Sequence, residues 1–219
     1  EAGIAEELKV QKYTSGDLAL IPDGDVAVEV RVLGPGWTQA DTVMLFANGS
    51  LIRQETLSPE QGKQPGLKAT VSWQLPRPAH DVHLTAIATG PGVDEPYWRT
   101  AKPYQPDSPD WESRVAGCSG AVWLDADGDR RWTPPYEYAQ RLVLEFGDTP
   151  EALVAHLTDY DQAVATQAAH LLQTSGRSIN SEPLQRALGQ ASASTRQGFR
   201  QYLDAWQQCE AARTISAAE

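Results

Sequence analysis

A β-rich fold with a helical C-terminus is predicted by three observations: a period of two that governs residues 26–89, turn-forming residues between the alternating runs, and a period of 3.6 beyond Gly147. The clearest strand opens after Asp25. There Val26, Val28, Val30 and Val32 alternate with Ala27, Glu29 and Arg31, so the valines share one buried face. After the Gly34-Pro35-Gly36 turn, Thr42–Ala47 and Ser50–Thr56 read as two further strands, with Val43 and Leu45 opposed to Met44 and Phe46. Asn48-Gly49 between them is a pair that tolerates the positive φ of a tight hairpin turn. Gln61–Gly66 reads as a polar loop. Ala69, Val71, Trp73 and Leu75 then alternate until Pro76 and Pro78 break the run, and Val82, Leu84, Ala86 and Ala88 resume it over His80–Thr89. Pro91–Trp111 interleaves five prolines with Tyr97, Trp98, Tyr104 and Trp111, which suits a surface crossing with an edge strand better than a central strand. Ala121–Leu124 is a last short strand. Short strands at this spacing are the pattern of an immunoglobulin/fibronectin-like antiparallel β-sandwich, here without an internal disulfide.

Four helices are expected to follow. Thr149 before Pro150 and Glu151 is a start signal, with a helix to about Thr158. Asp159 or Asp161 opens the second, which places Val164, Ala168, Leu171 and Leu172 on one face and ends near Gly176. Ser181-Glu182-Pro183 opens a third, to about Gly189. The fourth, Ser194–Ala212, sets Phe199, Tyr202, Leu203, Trp206 and Cys209 on one stripe. Two helix pairs are similar to a HEAT-like module but too few for a free-standing solenoid, so they are expected to pack on the sandwich. The domain reading is thus a lead-in over residues 1–15, helix-compatible at Ile4–Val10, a sandwich over 16–140 and a helical module over 141–219.

The net charge of −11, from 18 Lys+Arg against 29 Asp+Glu, opposes binding to phosphate backbones and anionic headgroups. No apolar run approaches the roughly 18 to 20 residues that span a bilayer. Neither nucleic acid nor membrane is an expected partner. Glu1 in place of Met reads as an excised or processed segment.

The sharpest chemical signal is Asp125-Ala126-Asp127-Gly128-Asp129-Arg130-Arg131. Carboxylates at alternate positions converge when the backbone wraps a hard cation, because Ca²⁺ takes six to eight oxygens. The expected structural calcium loop uses the side chains of Asp125, Asp127 and Asp129, the carbonyl of Arg131, and Glu137 to close the sphere. It is not a formal EF-hand: Arg130 and Tyr136 stand where that loop has Gly and Glu. The alternative is a solvated, metal-free acidic turn. His80 and His83, three apart on a strand, face opposite sides and cannot share an ion without a bulge. His156 and His170 read as surface or helix-packing residues. Cys118 and Cys209 either close a bridge that staples the sandwich to the last helix, or Cys209 packs as a free thiol on the apolar stripe. With no Cys-x-x-Cys, Gly-x-Ser-x-Gly, P-loop or Gly-x-Gly-x-x-Gly, no catalytic residue is assigned. Tyr97, Trp98, Tyr104 and Trp111 suit either a carbohydrate-stacking platform or the pinning of the crossing against its neighbours.

Several stretches together resemble the C-terminal accessory region of bacterial PHP-like metallohydrolases of the CehA/McbA type. They are VMLFAN (43–48), WQLPRP (73–78), HDVHLTAIATGP (80–91), PYWRTAKPYQPDSPDW (96–111) and AVWLDADGDRRWTP (121–134), a likeness that covers about Val26–Gln140 and is weaker over the helices. In such proteins His and Asp clusters of an N-terminal PHP domain build the catalytic metal site, and the chain ends in an accessory sandwich. This sequence has no His-x-His cluster, so the resemblance implies a non-catalytic appendage whose partner is the N-terminal hydrolase domain of its parent chain. The family's acidic loop commonly has Gly after its third Asp, where Arg130 stands here. Related full-length proteins are often exported, which favours an extracytoplasmic location, calcium and a disulfide. A carbohydrate-binding module is the alternative function.

Overall fold

Alternation decides the β region. In the computed structural model, which describes residues 11–21, 24–93 and 112–216 and, within α6, the side chains only to Arg213, eight strands form two sheets. The expected lead-in helix Ile4–Val10 and the aromatic crossing 94–111 lie outside the described residues. The larger sheet has the order β1-β8-β6-β3-β4, built from β1 (Leu18–Leu20), β8 (Val122–Asp125), β6 (Val82–Pro91), β3 (Thr42–Ala47) and β4 (Ser50–Thr56). β1 runs parallel to β8, and the other pairs are antiparallel. The second sheet is the long pair β2 (Val26–Gly34) and β5 (Gly66–Leu75).

In β2 the valines turn inward and Ala27, Glu29, Arg31 and Leu33 are exposed, as the period of two requires. Valines of β2 and Leu75 and Trp73 of β5 share one apolar cluster with Leu45, Val82, Leu84, Ala86 and Leu124 of the larger sheet. A second cluster joins Val32, Ala69 and Val71 to Val43. The core of the β region therefore lies between the two sheets. Ala47 pairs with Ser50 across Asn48-Gly49, whose φ values of 46° and 82° are those of the tight hairpin turn the sequence predicts.

Two elements depart from expectation. The polar stretch after Thr56 is not all loop: Pro59–Lys63 is a short helix, α1, because Ser58 and Gln61 form a reciprocal capping box ahead of Pro59. Arg114–Cys118 is a strand, β7, on the β6 edge that β8 also occupies. Its residues are mostly exposed, so it carries little alternation to read. Between β7 and β8, Ser119 bonds Ala86 through its own backbone N–H (2.9 Å) and hydroxyl (3.0 Å).

Five helices follow rather than the four expected: α2 (Pro135–Phe146), α3 (Pro150–His156), α4 (Gln162–Thr174), α5 (Glu182–Gly189) and α6 (Ala193–Ser216), with a 3-10 turn at Leu157–Asp159. α2 crosses the expected boundary at Gln140. Its buried Tyr138, Ala139, Leu142 and Val143 recur at helical spacing, but its first turn reads in sequence as the close of the acidic loop. α4 lies between α2 and α6, and α3 packs on α5. The apolar cluster of the helices contains helix and interhelix residues alone.

On α6, Phe199 is buried and Tyr202 and Leu203 pack against the helical core, but Trp206 and Cys209 are exposed. The stripe is periodic beyond the surface available to cover it: 24 residues make a helix about 36 Å long, against about 20 Å for the 13 residues of α4. Cys118 and Cys209 are both exposed and free, so neither the bridge nor the buried thiol is formed. Among the described residues no helix is long and apolar enough to cross a membrane.

Candidate metal centre

The acidic segment Asp125–Arg131 leaves the end of β8 and coils before α2, where the β region meets the helices. Asp125 is almost fully buried; its Oδ1 accepts from Gly128 N (2.6 Å) and its Oδ2 from Arg130 N (2.8 Å). This wrap requires left-handed backbone at Gly128 (φ 77°) and at Arg130 (φ 65°). Arg130 thus holds the conformation that glycine adopts freely, at the position where the resemblance leads one to expect glycine.

The decisive partner comes from elsewhere in the chain. Asp81, fully buried in the β5–β6 connection, accepts from Ala126 N through Oδ1 (2.7 Å) and from Thr133 N through Oδ2 (2.8 Å). One carboxylate therefore ties both ends of the segment joining sheet to helix. Its own backbone N–H donates to Tyr138 Oη of α2 (3.3 Å). Carboxylate oxygens of Asp81, Asp125 and Asp127 lie within 4.8 Å of one another, the one convergence of three or more such ligands among the described residues.

Of the carboxylates expected as ligands, Asp125 and Asp127 join this group, whereas Asp129 and Glu137 do not; Arg131, expected to offer its carbonyl, follows in the same coil. Asp129 Oδ1 accepts from Arg131 N (2.7 Å), and Glu137 sits on α2 facing Arg141 at 3.8 Å. Asp81 is missed in sequence because it looks like a spacer between two histidines; its backbone partner Ala126 is 45 residues away.

Asp127 is the exposed member of the group, and its Oδ1 accepts from Asp129 N (3.2 Å). Partial burial pushes its carboxyl up from the ordinary value; the Asp129 N–H pulls it back, and the charges of Asp81, Asp129 and Asp125 push it up again, for a net rise. Excess negative charge at this point is what a cation would relieve. The donor set is oxygen throughout, with no imidazole or thiolate among the three, so it suits a hard cation rather than Zn²⁺. The unpartnered second oxygen of Asp127 and the second lone pairs of the Asp81 and Asp125 oxygens are the capacity left for one.

The histidines lie apart from this centre. His80 is buried; its Nε2 stands 3.3 Å from Asp161 Oδ2, and Tyr138 and Tyr160 pack on its ring. His83 meets Trp132 edge-on, His156 stacks on Phe146 at 4.2 Å, and His170 meets Tyr202. The helix-packing reading of the last two agrees with these contacts. Tyr97, Trp98, Tyr104 and Trp111, the residues of the carbohydrate reading, lie outside the described residues.

No family model matches the chain, and no curated protein or solved structure matches it significantly.

Proposed function

We propose that the chain is a non-catalytic accessory module of a metal-dependent hydrolase, and that its acidic segment takes a structural Ca²⁺. The observation that carries the cation reading is the convergence of Asp81, Asp125 and Asp127 at the joint between sheet and helices. The carboxylates of Asp81, Asp125 and Asp127 would hold the ion, and its charge would offset their mutual repulsion where the chain crosses from one unit to the other. The hydrolase context rests on the resemblance of Val26–Gln140, with the N-terminal domain of the parent chain as partner and an extracytoplasmic location.

Two features of the fold support the module reading. The order β1-β8-β6-β3-β4 opposed to β2-β5, with β1 parallel to β8, agrees with an immunoglobulin/fibronectin-like sandwich. In the helices, α4 contacts both α2 and α6 while α3 contacts α5, a pairing of alternate helices that supports a HEAT-like reading.

The test is a thermal melt in excess EDTA and then in millimolar CaCl₂, with MgCl₂ as control. Free Ca²⁺ at about 100 times its dissociation constant adds about 2.7 kcal/mol, a rise of roughly 5 to 11 °C for a chain of this size. Asp127→Ala, which removes a ligand without releasing a buried donor, should abolish the rise. Equal melting temperatures in EDTA and Ca²⁺ would overturn the calcium reading.

A further inference from the structure

The β region and the helices have separate cores. Two apolar clusters are built from the β region and one from the helices, and among the described residues no buried apolar cluster contains both. Among the described residues, the hydrogen bonds and ring contacts that cross between them fall at two places: at the joint itself, where Tyr138 Oη of α2 accepts from Asp81 N (3.3 Å), and away from it, at Asp161. Asp161, at the N-cap of α4, accepts from Val164 N through Oδ1 (3.0 Å). Its Oδ2 accepts from the Asn48 amide in the β3–β4 turn (2.9 Å) and faces His80 Nε2 at 3.3 Å. Asn48 is itself held, since its side-chain carbonyl accepts from His83 N (3.0 Å). Beside them, His80 packs on Tyr138 of α2 and on Tyr160 just before α4. Interfaces that lack a shared apolar core are the ones about which units move.

We propose that Asp161 is the latch of a hinge: the helical unit pivots as a body about the 126–134 segment, and the hydrogen bond that Asp161 accepts from Asn48, with His80 close against the same oxygen, holds it closed against the sheets. The cap and the latch are separable functions of one carboxylate. Serine caps a helix about as well as aspartate but is too short to keep both cross-unit contacts, so Asp161→Ser opens the latch and leaves α4 started. Asn48→Asp opens it from the other side without touching α4: Asp tolerates the positive φ of the turn and keeps an oxygen for His83 N, but places an acceptor where the amide donated to Asp161.

The experiment follows unfolding of the full chain by two signals. Of the described tryptophans, Trp37, Trp73 and Trp123 lie in the β region, Trp132 in the joining segment and only Trp206 on a helix, so their fluorescence reports mainly the β region, and ellipticity at 222 nm reports the helices. The wild type should melt in one transition by both signals. In Asp161→Ser and in Asn48→Asp the two midpoints should separate by about 5 °C or more, with a larger radius of gyration by X-ray scattering at a temperature where both units remain folded. Coincident midpoints and unchanged scattering in both variants would overturn the latch, as would two separate transitions in the wild type. If Asp161→Ser does not fold, Asn48→Asp decides alone. Each melt is run in EDTA and in CaCl₂, and separation is expected in both, so the latch and the cation site stand or fall independently.

Discussion

Asp81→Ala, measured in EDTA, separates two roles that the same carboxylate can play. The side chain is fully buried and accepts two backbone N–H groups, from Ala126 and Thr133, at 2.7 and 2.8 Å. Truncation leaves both donors without a partner, at about 1 to 3 kcal/mol each. Against this, the variant removes one of three carboxylates whose oxygens lie within 4.8 Å, which relieves repulsion in two pairs, of about 1 kcal/mol each at water-like screening and about 3.5 each at the screening typical of a protein surface. The charges of the buried Asp81 and Asp125 are each offset by two backbone N–H donors, and Asp127 reaches solvent, so the relief lies towards the smaller figure and the loss prevails. The expected net cost is about 2 kcal/mol, a fall in Tm of roughly 4 to 8 °C for a chain of this size. The assay is a melt followed by ellipticity and fluorescence, with Asp127→Ala alongside. Asp127→Ala removes only a 3.2 Å bond to an exposed acceptor and relieves repulsion with the same neighbours, so without metal it should melt at or above the wild-type temperature. An unchanged or higher Tm for Asp81→Ala in EDTA would refute the reasoning, because repulsion rather than the two tethers would then dominate the site.

Two further outcomes follow from the same geometry. Arg130→Gly should raise stability by up to about 1 kcal/mol in a denaturant titration, since φ 65° is left-handed and glycine adopts it without strain; a loss would mean that the Arg130 side chain contributes more than its backbone costs. Cys118 and Cys209 should both react promptly with a thiol reagent in the native protein, two equivalents per chain, and slow or substoichiometric labelling would contradict their exposure.

The sequence by itself determined the elements whose signal is local. Val26 to Val32 alternate because one sheet face is dry, Asn48-Gly49 turns because both residues accept positive φ, and a helix opens at Asp159 or Asp161, a choice that falls to Asp161 in the fold, where its side chain caps Val164 N. It also determined that Asp125 and Asp127 lie together, since a short acidic run with Gly128 coils on itself. Where the local signal was weak or read for another purpose, the reading failed: β7 has almost no buried face, α2 begins inside residues assigned to an ion, and α1 depends on a capping box in a polar stretch.

Only the tertiary structure decided which residues complete the site and which end of a periodic stripe is covered. Asp81 enters the acidic group because β6 pairs with β8, a contact between strands far apart in the chain that no local pattern encodes. Trp206 and Cys209 share a stripe with Phe199 yet stay exposed, because periodicity tells which face of a helix is apolar and the length of the neighbouring helix tells how much of it is buried. Asp161, read as a cap, becomes the link between two separately cored units because the fold brings Asn48 and His80 to its second oxygen.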